Sequence, residues 1–276
     1  MHAPTRFSRG SAPGGGGLPT IVFVHGGAWA WSRAWQHSPL CAHWARCGAV
    51  CVNVDYRLYP RADALDMATD VAHAIRWASS HAGAYGGDPT RLMLMGHSSG
   101  AHVATLALLL HAEAAAAVAG ALMLCGVFDV PAHFEFEARR SIVGGAVRGV
   151  HWLSPLAPAC GGVGRLEDVS PRHLIAARAA PVPPSALPPF TLLHAGDDEI
   201  VPPSQSAAFG AALRSAGVPV TCVPPYERVR HMDVVVDPMV GYAAGCTARL
   251  TEDVFAAIAA TPPRAPPPPA RARSAL

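Results

Sequence analysis

The chain has 276 residues, a length suited to one large α/β domain, and at 51% hydrophobic residues it can bury a sizeable core. Charged residues make up 14% and the formal net charge is +2, which leaves no basic footprint for nucleic acid and no polybasic run for an anionic membrane. No apolar run reaches the length of a bilayer span; the longest, between Glu113 and Asp129, is broken by Gly120 and Gly126. The seven cysteines are odd in number and form no C-x-x-C pair, which predicts a reducing compartment and no structural zinc. The histidines form no H-x-x-x-H pair with a neighbouring carboxylate, so no metal site is expected.

In chain order, residues 1–17 end in four glycines and read as a flexible lead-in. "PTIVFVHGG" reads as a buried strand running into a glycine turn. "AWQHSPLCAHWARCG" has helical spacing and stops at Gly48. "AVCVNVDYR" is a second strand, and "ALDMATDVAHAIRWASSHAGAYGGD" a helix ending in Gly-Gly. "RLMLMG" is a third strand, followed by one helix over Ser99 to Val118. "GALMLCGVF" is the fourth strand and "PFTLLHAGDD" the fifth. "PSQSAAFGAALRSAG" is a helix, "PVTCVPPYE" the sixth strand and "RLTEDVFAAIAA" a closing helix. Residues 262–276, rich in proline and arginine, read as a disordered tail.

Continuous apolar strands separated by helices predict an α/β fold, a mostly parallel sheet with helices on both faces, over residues 18–261. The interval 128–188 breaks the alternation with short helical pieces and prolines. It reads as a cap inserted over one end of the sheet.

Gly96-His97-Ser98-Ser99-Gly100 fits G-x-S-x-G at a strand-to-helix turn. Such a turn holds its serine in a strained conformation with the hydroxyl outward. Side chains two residues either side would collide, so glycine fills both places. The following helix directs its N-terminus at the site, where negative charge is favoured.

Three further features suit the same chemistry. The glycines of "HGGAW" free backbone N–H groups to face an oxyanion. The candidates are the N–H groups of Gly27, Ala28 and Ser99. "LLHAGDDEIVPPSQS" ends a strand in Asp197 and Asp198, either of which can fix an imidazole's tautomer; local chemistry does not choose between them. "RHMDVV" supplies His231 as a general base. Trp29, Trp31 and Trp35 follow the glycine loop and suit either a lipophilic pocket wall, Trp29 above all, or anchors packing the first helix on the sheet. Phe134, Phe136 and Trp152 in the cap carry the same ambiguity.

With "IVFVHGGAW", "VDYRLYP", "AYGGDPTRLMLMGHSSGAH", "HAGDDEIVPPSQS" and "HMDVVVDPM", the chain resembles α/β-hydrolases of the carboxylesterase kind, most closely the isoprenylcysteine α-carbonyl methylesterases. The resemblance implies Ser98 as nucleophile, His231 as base and Asp198, three residues before Val201-Pro202, as the acid, with Asp197 a neighbour. It implies a serine carboxylesterase without cofactor, acting on a small lipophilic ester such as a prenylcysteine methyl ester. An arylformamidase-type amide hydrolase shares the glycine loop. A non-catalytic ligand-binding protein on this fold is a third reading, disfavoured because all three triad residue types are present.

Relatives of this kind carry one or two more strands before the first one here, and the plant esterases carry membrane-spanning segments. In its present form the chain is expected in the cytoplasm; with such segments upstream, at a membrane.

Overall fold

The structure, a computed structural model, describes residues 17–140, 150–241 and 245–264. Most of the predicted lead-in and most of the predicted tail lie outside them.

Six parallel strands form one sheet in the order β2-β1-β3-β4-β5-β6. They are β1 (Leu18–Val24), β2 (Val50–Val54), β3 (Gly87–His97), β4 (Gly120–Leu124), β5 (Phe190–Leu193) and β6 (Val220–Cys222). Each predicted strand is present, β3 begins earlier than "RLMLMG", and every pairing is parallel.

Successive side chains of a strand face opposite sides of the sheet, and both sides are apolar here. Val22, Val24, Leu92, Leu94, Ala121 and Met123 belong to one core. Ile21, Phe23, Met93, Met95, Leu122 and Leu124 belong to the other. The first core is covered by α2 (Ala64–His81), α3 (Ser99–Leu110), α4 (Ala112–Ala117) and α8 (Ser204–Ser215). The second is covered by α1 (Ser38–Arg46), α9 (Asp233–Val240) and α10 (Thr247–Ala260). Each fully buried leucine, isoleucine or phenylalanine contributes about 1.5–3 kcal/mol.

Helix α3 lies at the centre: every residue from Ser99 to Leu109 is buried, so no polar stripe marks its surface. The single helix predicted over Ser99–Val118 is in fact two. His111 is extended, at φ −122° and ψ 100°, between α3 and α4. The carbonyl of Leu109 accepts a hydrogen bond of 3.0 Å from Val182 N–H, a long-range contact that alanine-rich propensity does not reveal. Helix α9 has no counterpart in the sequence reading, because Pro238 lies within it.

Between β4 and β5 the described residues include α5 (Val130–Arg139), α6 (Leu156–Ala159) and α7 (Pro171–Ala176). Asp129 caps α5, accepting from Ala132 N–H at 3.1 Å, and binds Arg172 Nη1 at 2.6 Å. Gln205 of α8 accepts from the N–H groups of Phe128 (2.9 Å) and Asp129 (2.7 Å) and donates to the Asp129 carbonyl (3.0 Å). This excursion is therefore tied to the body where it leaves β4. Among the described residues no helix is long and apolar enough to cross a membrane.

Candidate active site

At the carboxyl end of β3 the chain turns directly into α3 at Ser98, whose φ of 56° and ψ of −128° are unfavourable for any residue with a side chain. The flanking glycines are steric necessities. A Cβ on Gly96 would lie 2.6 Å from Ala101 Cα, and one on Gly100 would lie 2.3 Å from the carbonyl oxygens of both Val24 and His25. Gly26 opposes the serine, since its Cβ would come within 2.9 Å of Ser98 Cβ. The end of β1 and the turn after β3 thus meet in backbone contact that only glycine permits.

The loop after β1 is bent by three successive positive-φ residues, Gly27 at 130°, Ala28 at 47° and Trp29 at 62°. The N–H groups of Ala30 (3.1 Å) and Trp31 (2.9 Å) both donate to the Gly27 carbonyl. Trp29 N–H donates to Ser99 Oγ at 3.3 Å, which draws the loop against the start of α3. Tyr56 OH donates to the His25 carbonyl at 2.7 Å. The N–H groups of Gly27 and Ala28 have no acceptor among the described residues. That of Ser99 begins α3, where a helix leaves its N–H groups unpaired.

Asp198 and His231 meet beyond the ends of β5 and β6. His231 Nδ1 donates to Asp198 Oδ2 at 2.7 Å, and both side chains are buried. Asp198 Oδ1 accepts from Ile200 N–H (3.0 Å) and Val201 N–H (2.7 Å), and His194 Nε2 lies 3.3 Å from Oδ2. Burial raises the carboxyl's pKa. The hydrogen bonds from His194 and His231, the attraction of His231 and the Val201 N–H outweigh it and hold the group well below the usual carboxylate range. Asp197 is exposed and its N–H donates to the Val229 carbonyl at 2.9 Å, so the structure pairs Asp198, not its neighbour, with the imidazole.

His97, next to the serine, links the two halves. Its ring packs on that of His231 with centroids 4.8 Å apart, and its Nε2 donates to the His231 carbonyl at 3.1 Å. Burial, then repulsion from His231, keeps His97 neutral by lowering its pKa well below the ordinary value. Ser98 is 9% exposed, and its Oγ makes no hydrogen bond with any described residue. His97 connects the serine's turn to the imidazole's loop, and a bond between such a hydroxyl and an imidazole commonly tightens only around a reacting substrate.

Cys125 follows β4 at φ 48°, its Sγ accepting from Ala195 N–H at 3.3 Å. Ligand atoms of His97, Cys125 and His231 lie within 4.8 Å of one another, as do those of Cys125, His194 and Asp198. Burial first, and then the Asp198 charge, push the thiol's pKa well up, so it stays protonated. His194 Nδ1 meets Ser206 Oγ at 2.7 Å and its Nε2 donates to the Val201 carbonyl at 2.9 Å.

The aromatic expectations need correction. Trp29 does not line an open pocket: it is 2% exposed, and its Nε1–H donates to His102 Nδ1 at 2.9 Å. Trp31 and Trp35 are not packing anchors either, being 62% and 72% exposed; Trp44 fills that place at 0%. Trp152 of the excursion is also exposed, while Phe134 and Phe136 are half-buried. His97, His102, His194 and Cys125 carry much of the site's wiring, and each stood inside a quoted motif without a role. The one signal for His194 was its position four residues before Asp198.

Residues 21–232 match the family model described as alpha/beta hydrolase fold. A probable isoprenylcysteine alpha-carbonyl methylesterase of Oryza sativa subsp. japonica is 33% identical over 246 residues, covering 87% of this chain and 57% of its own. The esterase LipQ of Mycobacterium tuberculosis is 31% identical over 224 residues, covering 77% of this chain and 50% of its own. The chain thus spans about half the length of the curated relatives it matches. Carboxyl esterase 2 of Tuber melanosporum superposes with a TM-score of 0.68 at 20% identity, over 89% of this chain and 79% of the other. A thermophilic esterase of Thermogutta terrifontis, with butyrate bound, gives 0.62 at 25% identity, over 91% and 87%.

Proposed function

This chain belongs to the alpha/beta hydrolase fold family, and from that premise we propose that it is a serine hydrolase cleaving carboxylic esters through an acyl-enzyme. The observation that carries the reading is the buried 2.7 Å hydrogen bond from His231 to Asp198, beside a serine held at φ 56°.

In the proposed reaction His231 Nε2 takes the proton of Ser98 Oγ as the oxygen bonds to the ester carbonyl carbon. The displaced electron pair resides on the carbonyl oxygen, which accepts from the N–H groups of Gly27, Ala28 and Ser99. The tetrahedral intermediate collapses, and the alcohol leaves with the proton from His231. Water then attacks the acyl-enzyme by the same sequence, with His231 as base, and the acid is released. Asp198 keeps the Nε2 lone pair aimed at the serine by holding the Nδ1 proton, and it stabilises the imidazolium. No step calls on a cofactor.

The substrate is read as a small lipophilic ester, a prenylcysteine methyl ester being the leading candidate. The methylesterase relatives support the ester class. The exposed Trp31 and Trp35, just past the glycine loop, support the lipophilic character. The excursion over 128–188 is read as a cap that shapes the substrate's pocket. Seven unpaired cysteines support a reducing, cytoplasmic setting.

Turnover of p-nitrophenyl esters of graded acyl length, of prenylcysteine methyl esters and of N-formylkynurenine, in wild type and Ser98→Ala, tests the reading. Ester turnover abolished by the substitution supports it. Preference for the formamide would replace the ester assignment, and full activity of Ser98→Ala would overturn the mechanism.

A further inference from the structure

The oxyanion loop is bent against its backbone preference at Ala28 and Trp29, and something must hold it there. Three bonds converge on the last of these. Tyr59 N–H donates to the Trp29 carbonyl at 2.9 Å, Trp29 N–H donates to Ser99 Oγ at 3.3 Å, and the indole Nε1–H donates to His102 Nδ1 at 2.9 Å.

His102 is fully buried in α3, one turn after the serine, and its own N–H donates to the Ser98 carbonyl at 3.2 Å. Its ring Nε2 lies 2.7 Å from the carbonyl of Val169, in the excursion between β4 and β5. A carbonyl only accepts, so Nε2 carries the proton and Nδ1 is left as the lone pair that the indole needs. The indole stands edge-on to the imidazole, with centroids 5.5 Å apart and planes at 81°. One imidazole in one tautomer therefore joins the nucleophile's helix, the oxyanion loop and the excursion.

We propose that His102 is a positioning residue of the esterase reaction, a neutral clamp that holds Trp29 and through it aims the Gly27 and Ala28 N–H groups at the developing oxyanion. The inference rests on the reading of those N–H groups given above. It adds a residue that touches no reacting atom and a route by which the Val169 segment bears on the catalytic loop. Burial lowers the imidazole's pKa to about 4, which keeps the ring neutral and the acceptor free.

Two substitutions divide the clamp's halves. Asn at 102 can offer an oxygen where Nδ1 stands and so keeps an acceptor for the indole. Gln can offer an N–H where Nε2 stands and so keeps the donor to Val169. Trp29→Phe removes the indole donor while retaining an aromatic ring.

Two readouts are taken on the full chain, the Trp29 indole N–H proton resonance, assigned by its loss in Trp29→Phe, and kcat and KM for p-nitrophenyl acetate. His102→Asn keeps a hydrogen-bonded indole resonance and a kcat within about threefold of wild type. His102→Gln shifts the resonance and lowers kcat about tenfold to hundredfold, with KM changed less than about threefold, the size expected for donors displaced by up to an ångström. Trp29→Phe lowers kcat similarly, and adding His102→Gln to it costs little more.

Wild-type kcat in folded His102→Gln and Trp29→Phe overturns the inference, as does a rise in KM at unchanged kcat. If the histidine variants do not fold, Trp29→Phe decides alone. A wild-type protein that turns over no ester overturns the enzymatic reading and this inference together. An active wild type with unaffected variants overturns only the inference.

Discussion

Asp198 and His231 lie 33 residues apart in the chain and meet in a buried 2.7 Å hydrogen bond, while Asp197, one residue earlier, is exposed. The difference predicts unequal mutants. Asp198→Asn lowers kcat by about 10³–10⁴-fold, because an amide at that place no longer enforces the Nδ1-protonated tautomer. Asp197→Asn leaves kcat within about twofold of wild type. Steady-state kinetics on both variants checks this.

The same carboxylate predicts a pH dependence of stability. Its folded pKa is depressed, so its contribution is fully present above the unfolded carboxylate value and fades as pH falls through the folded one. The stability gap between wild type and Asp198→Asn should be constant above about pH 5 and narrow progressively below about pH 4. Denaturant unfolding at a series of pH values measures it. A gap that widens on acidification contradicts the assignment.

His97 donates to the His231 carbonyl and packs on its ring, both at close range. His97→Gln, which keeps an N–H in a similar place, retains kcat within about threefold. His97→Leu loses the 3.1 Å bond, frees the base loop and lowers kcat about tenfold. Comparing kcat with KM separates this from a binding defect, for which KM alone would rise.

Gly100, two residues after the serine, and Gly83, in the turn after α2, differ in what a side chain would cost. Gly100→Ala forces a Cβ within 2.3 Å of two carbonyl oxygens and destabilises by about 3 kcal/mol or more. Gly83, with nothing within 4 Å of its notional Cβ, tolerates alanine with a change of at most about 1 kcal/mol in either direction. Thermal melts of the two variants read the contrast directly.

The tryptophans divide likewise. Trp44→Ala removes a fully buried ring and costs about 3–5 kcal/mol, whereas Trp35→Ala, at a side chain 72% exposed, costs less than about 0.5 kcal/mol.

These contrasts mark what was legible in the chain. Gly96 and Gly100 could be read from the steric demands of a tight serine turn, although the atoms a Cβ on Gly100 would strike belong to Val24 and His25, far away in the chain; the six strands could be read because burial on both faces makes them continuously apolar. The pairing of Asp198 over Asp197 was not readable from local chemistry, since it depends on where β6 delivers His231; only the resemblance chose it. Trp29 stayed open between two readings because a tryptophan after a glycine loop looks alike whether it faces a pocket or His102, 73 positions away. The end of α3 was missed for the same reason: Leu109 is claimed by Val182 across a long stretch of chain. Local physics is written in the sequence, whereas partners chosen in three dimensions are not.

The central claim, that Ser98 is the nucleophile activated by His231, is tested most directly by reaction with a fluorophosphonate followed by peptide mapping. The expected result is a single adduct on Ser98, absent in Ser98→Ala and formed at least about a hundredfold more slowly in His231→Ala. An adduct that persists in Ser98→Ala, or that maps to another residue, would contradict the account.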